Sequence, residues 1–198
     1  MSVQNGFLAL LTQGPAYGSQ LQSEFLCRAA HRRQLNPGQV YSTLDRMTDQ
    51  GLVASAGATD DGLPLYELTP AGREAATAWL SGGPADTRPD WDEMQDQVLI
   101  AASLEGVDAV AIVDDYRAAF AERIRYLSHE ADSRALLAAN RAGELGAKAA
   151  IEWLDEVAAA LRAHPGALIQ HRSPDRPRRG RRPAAETTPS AEGQPAAT

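Results

Sequence analysis

A short polar run near residue 40 carries side chains that could read a nucleic acid. Gln39 has the carboxamide that pairs with an adenine edge, and Ser42 can bond to bases or to phosphates. Arg46 can bind guanine or a phosphate, and Tyr41 can bond a phosphate while its ring packs against the protein. These residues could also form an ordinary solvated surface, so their meaning depends on the elements that hold them.

A helix with one apolar face is predicted to carry them. Asn36 is a favoured N-cap, Pro37 suits the first helical position, and a helix start of this kind favours a bound phosphate. Val40, Leu44 and Met47 recur at helical spacing and predict the buried side, so the polar residues fall on the opposite side.

The segments around this helix predict a winged helix-turn-helix domain. The order is helix at 3–11, helix at 17–25, helix from 37, strands at 52–55 and 65–68, and a last helix from Thr69-Pro70 to Leu80. The turn formers Asp60-Asp61-Gly62 join the strands into a hairpin, the wing. We therefore expect a mainly α fold with a small β-hairpin, whose third helix enters the major groove of DNA.

The second half of the chain is predicted to be helical over 91–163 and to form an antiparallel helical dimerisation domain. Its apolar residues recur at helical and heptad spacing, which favours packing between the helices of two subunits. The first helix of the chain is expected to contribute to the same subunit interface. An intramolecular bundle is the alternative. The predicted interface residues are Phe7, Phe120, Ile124, Leu127, Ile151, Leu154 and Leu161. The predicted domains are 1–82 for the winged helix, 83–90 for a linker, 91–164 for dimerisation and 165–198 for a disordered tail.

Charge is divided unevenly along the chain, whose net charge is −7. Residues 83–164 carry sixteen acidic against eight basic side chains, whereas residues 165–198 carry six arginines against three acids. Part of this tail resembles an AT-hook, in which an extended Arg-Gly-Arg enters a narrow minor groove. The predicted minor-groove contacts are Arg178, Arg179, Gly180, Arg181 and Arg182. A solubilising tail without a specific target is the alternative.

Little in the sequence suits catalysis or metal binding. Cys27 is the single cysteine, and the four histidines lack the spacing of metal ligands. Residues 14–18 lack the Lys-Ser/Thr of a phosphate-binding loop, and no nucleophile stands with a base. We therefore predict a reduced, cytoplasmic protein that is not an enzyme, has no cofactor or metal and contacts no membrane.

Several stretches resemble the PadR family of transcriptional regulators. Residues 35–47 and 51–53 are similar to its recognition segment, residues 8–18 to its opening and residues 66–72 to its wing exit. The acidic helical half, with Glu152-Trp153-Leu154, is similar to the longer C-terminal domain of one branch. The resemblance implies a homodimeric repressor that binds a palindromic operator and releases it when a small molecule or stress signal arrives.

The wing departs from the family pattern. Residues 62–65 read Gly-Leu-Pro-Leu where many members have Gly-Arg-Pro-Arg, and two aspartates precede them. A wing without these arginines binds phosphates less strongly, and the basic tail is a candidate for supplying the missing attraction. The resemblance also makes Trp91 and Trp153 candidate contacts for a flat ligand, although plain packing is the alternative.

Two functions therefore compete. For a DNA-binding regulator, the predicted DNA contacts are Tyr17, Arg32, Arg33, Asn36, Gln39, Tyr41, Ser42 and Arg46. The alternative is a winged-helix protein-interaction module or co-regulator without specific DNA binding, which the arginine-free wing and Asp45 favour.

Overall fold

The computed structural model describes residues 2–32, 34–82, 90–127 and 133–172. Its N-terminal elements are α1 (Ser2–Leu11), β1 (Ala16–Tyr17), α2 (Gly18–Arg28), α3 (Pro37–Asp49), β2 (Val53–Ala58), β3 (Pro64–Leu68) and α4 (Pro70–Ser81). The expected mainly helical fold with a small β-hairpin and a winged helix-turn-helix order is confirmed.

The hairpin gains a third strand that the sequence pattern does not predict. The sheet order is β1–β3–β2, and both pairings are antiparallel. Tyr17 pairs with Leu65 of β3 and also serves as the N-cap of α2, so it is a strand residue rather than the first residue of a helix. A two-residue strand has no periodicity of its own, because its geometry comes from the distant strand beside it.

The first turn of α4 is tied to the start of β2. The Thr69 hydroxyl accepts the Gly72 N–H at 3.1 Å and donates to the Gly51 carbonyl at 2.6 Å. The Thr69 N–H donates to the Leu52 carbonyl at 3.1 Å. These bonds bring α4 so close to β2 that a Cβ on Gly72 would overlap the Leu52 carbonyl oxygen.

One apolar core joins α1, α2 and α3 to the sheet. Phe7 and Phe25 meet edge to face, with ring centroids 5.9 Å apart. Leu44 and Met47 of α3 are fully covered by the same core. Burying this side of α3 fixes which of its other residues face outward.

The C-terminal half contains three helices in the described part. They are α5 (Trp91–Ala102), α6 (Ala109–Leu127) and α7 (Arg134–Ala163). The sequence predicts helix throughout 91–163, but the chain leaves the helical conformation after α5. Gly106 lies in this break and has a positive φ of 78°. A second apolar core lies between these helices, and its fully covered members include Met94, Val98, Val113 and Leu154.

A buried polar network joins the two cores. Gln97 of α5 donates its amide N–H groups to the Trp79 carbonyl at 2.5 Å and the Gly82 carbonyl at 2.6 Å. The Gln97 oxygen accepts the Tyr116 hydroxyl of α6 at 2.5 Å. Burial raises the pKa of Tyr116, and the carboxylates of Glu93 and Asp90 raise it further. The end of α4 is thus held by α5 and α6 together.

Replacing Tyr116 with phenylalanine is expected to lower the free energy of unfolding by about 1–3 kcal/mol, because the Gln97 carbonyl then loses its buried donor. The pKa of Tyr116 is higher in the folded state than in the unfolded state, so the folded state keeps the hydroxyl proton more strongly. The contribution of Tyr116 to the free energy of unfolding is therefore full below pH about 10 and decreases as the pH rises above it. Chemical denaturation from pH 8 to 11 measures both effects. The difference between wild type and Tyr116→Phe should shrink above pH about 10; a constant difference contradicts the assignment.

Residues 165–172 correct the predicted start of the tail. The Gln170 N–H donates to the Ser103 carbonyl at 3.0 Å. Arg172 donates to the carbonyls of Leu10 at 2.7 Å, Pro15 at 2.8 Å and Gly14 at 3.1 Å. Arginine can satisfy the open carbonyls at the end of α1, so this segment is ordered against the winged helix despite its polar composition. The rest of the predicted tail, 173–198, lies outside the described residues, as does most of the predicted linker.

Candidate nucleic-acid interface

Helix α3 presents a polar face that the fold leaves open. Val40, Leu44 and Met47 are buried, as the sequence predicts, and Thr43 is buried beside them. The opposite side is exposed and carries Gly38, Gln39, Tyr41, Ser42, Asp45, Arg46 and Asp49. The helix is therefore fixed by one side while the predicted reading residues lie together on the other.

The start of α3 is a complete capping box. The Asn36 side chain accepts the Gln39 N–H at 2.9 Å, and the Gln39 side-chain oxygen accepts the Asn36 N–H at 3.0 Å. Pro37 follows as the first helical residue. Bidentate pairing of Gln39 with adenine would need this oxygen to leave the cap. Asn36 thus acts first as the residue that starts the reading helix.

The remaining reading residues differ in how firmly they are held. The Arg46 Nε donates to the Gln4 side chain of α1 at 3.3 Å, which is an exposed and easily exchanged bond. The Ser42 hydroxyl donates to the Gln39 carbonyl at 3.2 Å within the helix. Tyr41 is 42% exposed, and one edge of its ring packs over Gly18. All three can offer donors outward.

The wing side of α3 is acidic. Burial raises the pKa of Tyr66 on β3, and the Asp45 carboxylate followed by the Tyr41 hydroxyl raises it further. The wing tip is closed by the Thr59 hydroxyl, which donates to Asp61 at 2.5 Å and accepts the Leu63 N–H at 3.0 Å. From Val53 to Leu68 the hairpin holds three acidic residues and no Lys or Arg. This surface offers no cation to a phosphate.

Two of the predicted DNA contacts are engaged within the fold, and a third lies outside the described residues. Tyr17 is buried in β1, so most of its ring cannot reach a ligand. Arg32 points to α5, where its guanidinium pairs with Asp96 at 2.5 Å and bonds the Gln95 side chain at 2.5 Å. A carboxylate across the fold competes with a phosphate for Arg32, and the sequence does not show this partner. Arg33 lies outside the described residues.

The predicted dimer interface is also revised. Phe7 belongs to the first core, and Phe120 and Leu154 belong to the second, so these three side chains already pack within their own chain. The alternative of an intramolecular bundle accounts for them. Ile124, Leu127, Ile151 and Leu161 are only partly buried.

Sequence reasoning missed the exposed leucines at the start of α7. Leu136 is 45% and Leu137 is 61% exposed, and the buried residues of α7 begin only at Ala147. At 3.6 residues per turn, Leu136 lies on the same side of α7 as Leu154, so the apolar stripe continues beyond its own core. The length of this stripe is the signal that could have identified it.

Two tryptophans meet between α5 and α7. The rings of Trp91 and Trp153 lie 6.0 Å apart between centroids, at an interplanar angle of 52°. Trp91 is 42% exposed, which leaves part of one ring open to a flat molecule. The structure thus brings the two predicted ligand residues together.

Within the described part of the chain, no three His, Cys, Asp or Glu side chains gather as the ligands of a metal ion would. Cys27 is a free thiol on the surface, and its sulfur lies 3.5 Å from the Gln170 side-chain oxygen. Among the described helices, none combines the length and apolar character needed to cross a membrane.

Comparison with known proteins gives a family match for the N-terminal part of the chain. Residues 7–78 match the family described as the transcriptional regulator PadR-like family. Among solved structures, Bacillus subtilis PadR in complex with operator DNA is similar, with 18% identity, a TM-score of 0.39, and 81% of this chain and 99% of that chain covered.

Two further structures are similar. Bacillus subtilis PadR in complex with p-coumaric acid has 18% identity and a TM-score of 0.38, and the match covers 82% of this chain and 99% of that one. The PadR-like regulator BC1756 from Bacillus cereus has 16% identity and a TM-score of 0.35, with 81% and 98% covered. No curated protein matches the chain in sequence.

Proposed function

Residues 7–78 of this chain match the PadR-like family of transcriptional regulators, and on this premise we propose that the protein is a homodimeric repressor of a palindromic operator. This family consists of regulators, not enzymes. The observation that carries the proposal is α3, whose aliphatic side is locked in the core while its polar side is open. A helix held in this way can enter the major groove without moving.

In this account Arg46 and Ser42 read or grip the DNA directly. Arg46 gives up its exposed bond to Gln4 for a guanine edge or a phosphate, an exchange that favours the charged partner. Tyr41 bonds a phosphate at the edge of the face. Gln39 contacts a base only through its side-chain NH2 group, because its side-chain oxygen is held in the capping box.

A second copy of the chain covers the exposed start of α7. Leu136 continues the stripe of α7 past its own core, and the exposed Leu137 lies beside it. A helix end without packing is marginally stable in water. A two-fold interface is what a palindromic operator requires, because two α3 helices must meet one duplex. Ile124 and Leu127 of α6 and Ile151 and Leu161 of α7 extend the same proposal.

The arginine-rich tail supplies attraction that the acidic wing lacks. Arg172 is bound to Gly14 and Pro15, immediately before the β1 strand that pairs with the wing, so the tail leaves the fold on the winged-helix side. Residues 173–198 therefore start from the domain that carries α3. The proposed contacts remain Arg178 to Arg182.

Removing residues 173–198 is expected to flatten the salt dependence of operator binding, by about 0.9 in the slope of log affinity against log salt for each phosphate that the tail neutralises. Ending the chain after Arg172 keeps its bonds to α1, so the winged helix stays intact. Binding titrations at several salt concentrations measure the slope. Equal slopes for the full and shortened chains would show that the tail does not touch DNA.

An effector that releases the operator is proposed to bind beside Trp91 and Trp153. The ring pair joins the first turn of α5 to the middle of α7, so a flat molecule inserted there changes how these helices pack. The chemical identity of the effector does not follow from the rings. As a regulator that acts on chromosomal DNA, the protein is proposed to work in the cytoplasm.

The proposal is tested by selecting binding sites from a random duplex pool with the full-length protein. We expect an enriched sequence with two-fold symmetry and half-sites about 10 base pairs apart. A gel shift with the upstream region of the protein's own gene then checks the selected motif. Failure to enrich any sequence would overturn specific DNA binding.

A protein-interaction module is the second candidate. Asp45 in the exposed face and the hairpin without Lys or Arg favour it, because both repel phosphates. This candidate predicts no enriched DNA sequence, and it predicts that substitutions on α3 disturb a protein complex instead.

A further inference from the structure

The connection between α2 and α3 holds an uncommon backbone. Ala30 and His31 are consecutive and both have a φ of 54°, in the left-handed region that residues with a Cβ rarely adopt. Two backbone bonds of a helix C-cap hold this turn locally, since the Ala30 N–H donates to the Cys27 carbonyl at 3.0 Å and the His31 N–H to the Leu26 carbonyl at 2.7 Å. These bonds do not fix where the turn lies against the rest of the fold. This connection determines where α3 starts, so whatever holds it also positions the reading face.

Two arginines attach this connection to α5. Arg28 donates to the Ser103 carbonyl and hydroxyl, both at 2.9 Å, and to Glu24 at 2.9 Å. Arg32 pairs with Asp96 at 2.5 Å and lies 3.6 Å from Asp92. The end of α2 and the connection after it are therefore bound to the C-terminal end and the middle of α5.

Asp96 differs from the other acids near Arg32 in being completely buried. Its side chain is 0% exposed, whereas that of Asp92 is 59% exposed. A buried carboxylate needs a paired cation, and Arg32 comes from the connection itself. The position of Arg32, and of the backbone that carries it, is thus set by a group inside α5.

Helix α5 belongs to both cores. Ile100 packs in the first core, whereas Met94, Val98 and Ala101 pack in the second. Gln97, next to Asp96, holds the end of α4. α5 thus contacts the winged-helix domain through Asp96 and Gln97, while its other side packs against α6 and α7.

We propose that Asp96 is a positioning residue for DNA recognition. Through Arg32 it holds the α2–α3 connection, and hence the reading face of α3, in a fixed orientation to the helical half. The inference rests on the proposed operator binding and adds a residue that touches no DNA. It also gives a route by which a change in the packing of α5 reaches α3.

The test compares full-length Asp96→Asn with Asp92→Asn. Both variants add one unit of net charge on the same helix, so their general attraction to DNA changes equally. The readout is the ratio of Kd values for a scrambled duplex and for the duplex selected by the wild type. A partly unfolded protein weakens both affinities alike, whereas a misplaced α3 weakens only the specific one. Asp96→Asn should lower the ratio tenfold or more, and Asp92→Asn by less than twofold.

A ratio within twofold of wild type for folded Asp96→Asn would overturn the proposal. If that variant does not fold, Arg32→Lys keeps a cation beside Asp96 but loses the two-pronged grip, and it should lower the ratio at least threefold; an unchanged ratio again overturns it. If the wild type itself prefers no duplex, the proposed function fails. Amide hydrogen exchange over residues 29–36 then tests whether Asp96 holds the α2–α3 connection. Exchange that is tenfold faster than in wild type for Asp96→Asn, but not for Asp92→Asn, supports the proposal. Equal rates in all three proteins overturn it.

Discussion

Replacing Gly72 with alanine is expected to lower the free energy of unfolding by about 3 kcal/mol. The new Cβ would overlap the Leu52 carbonyl oxygen, and a backbone oxygen cannot rotate away as a flexible side chain can. That carbonyl also accepts the Thr69 N–H, so relief requires α4 and β2 to separate. Thermal unfolding at equal protein concentration should show a midpoint lowered by about 6–12 °C.

Gly146 is the matched control for this experiment. It lies in an exposed part of α7, and a Cβ there would meet no atom within 4 Å. Alanine should therefore stabilise the helix, by about 0.5–1 kcal/mol. Opposite signs at the two glycines are the expected result. A Gly72→Ala protein as stable as wild type would mean that α4 does not approach β2 as described.

Replacing Leu136 and Leu137 with glutamate is expected to dissociate the proposed dimer and to weaken operator binding a hundredfold or more. Both leucines are largely exposed in the single chain, so the substitution leaves its own cores intact. In a dimer, binding of one α3 helix to its half-site holds the second α3 helix at a high local concentration near the other half-site. Separate chains lack this effect, so their affinity for a palindrome should be about 10²–10⁴-fold lower.

Light scattering gives the mass of the particle, and binding titrations give the affinity. Leu168→Glu makes one such replacement, with one added negative charge instead of two, on a leucine that is 40% exposed but lies after α7. It should alter neither quantity. A double variant that keeps the mass of wild type would place the subunit contact elsewhere.

The local parts of this fold follow directly from the sequence. Asn36-Pro37 and Thr69-Pro70 start α3 and α4 where predicted, because a cap and a fixed proline φ act within one turn. The exposed face of α3 also follows, since Val40, Leu44 and Met47 define its opposite side. These features need no information about distant residues.

The parts that could not be predicted depend on contacts across the chain. β1 exists because β3 lies beside Ala16 and Tyr17. Arg32 looked available for DNA because its partner, Asp96, comes from a helix of the second half. The apolar repeat of Phe120 and Leu154 shows that two helices pack, but not whether they belong to one chain or to two.

The most direct test of the central claim, that the open face of α3 reads DNA, is the affinity of Arg46→Ala for the selected operator, measured beside Arg73→Ala. Both replace one exposed helical arginine of the winged helix, but only Arg46 lies on the face opposite Val40, Leu44 and Met47. We predict that Arg46→Ala binds about tenfold more weakly and that Arg73→Ala stays within about twofold of wild type. Equal affinity of Arg46→Ala and wild type would contradict the assignment of α3 as the reading helix.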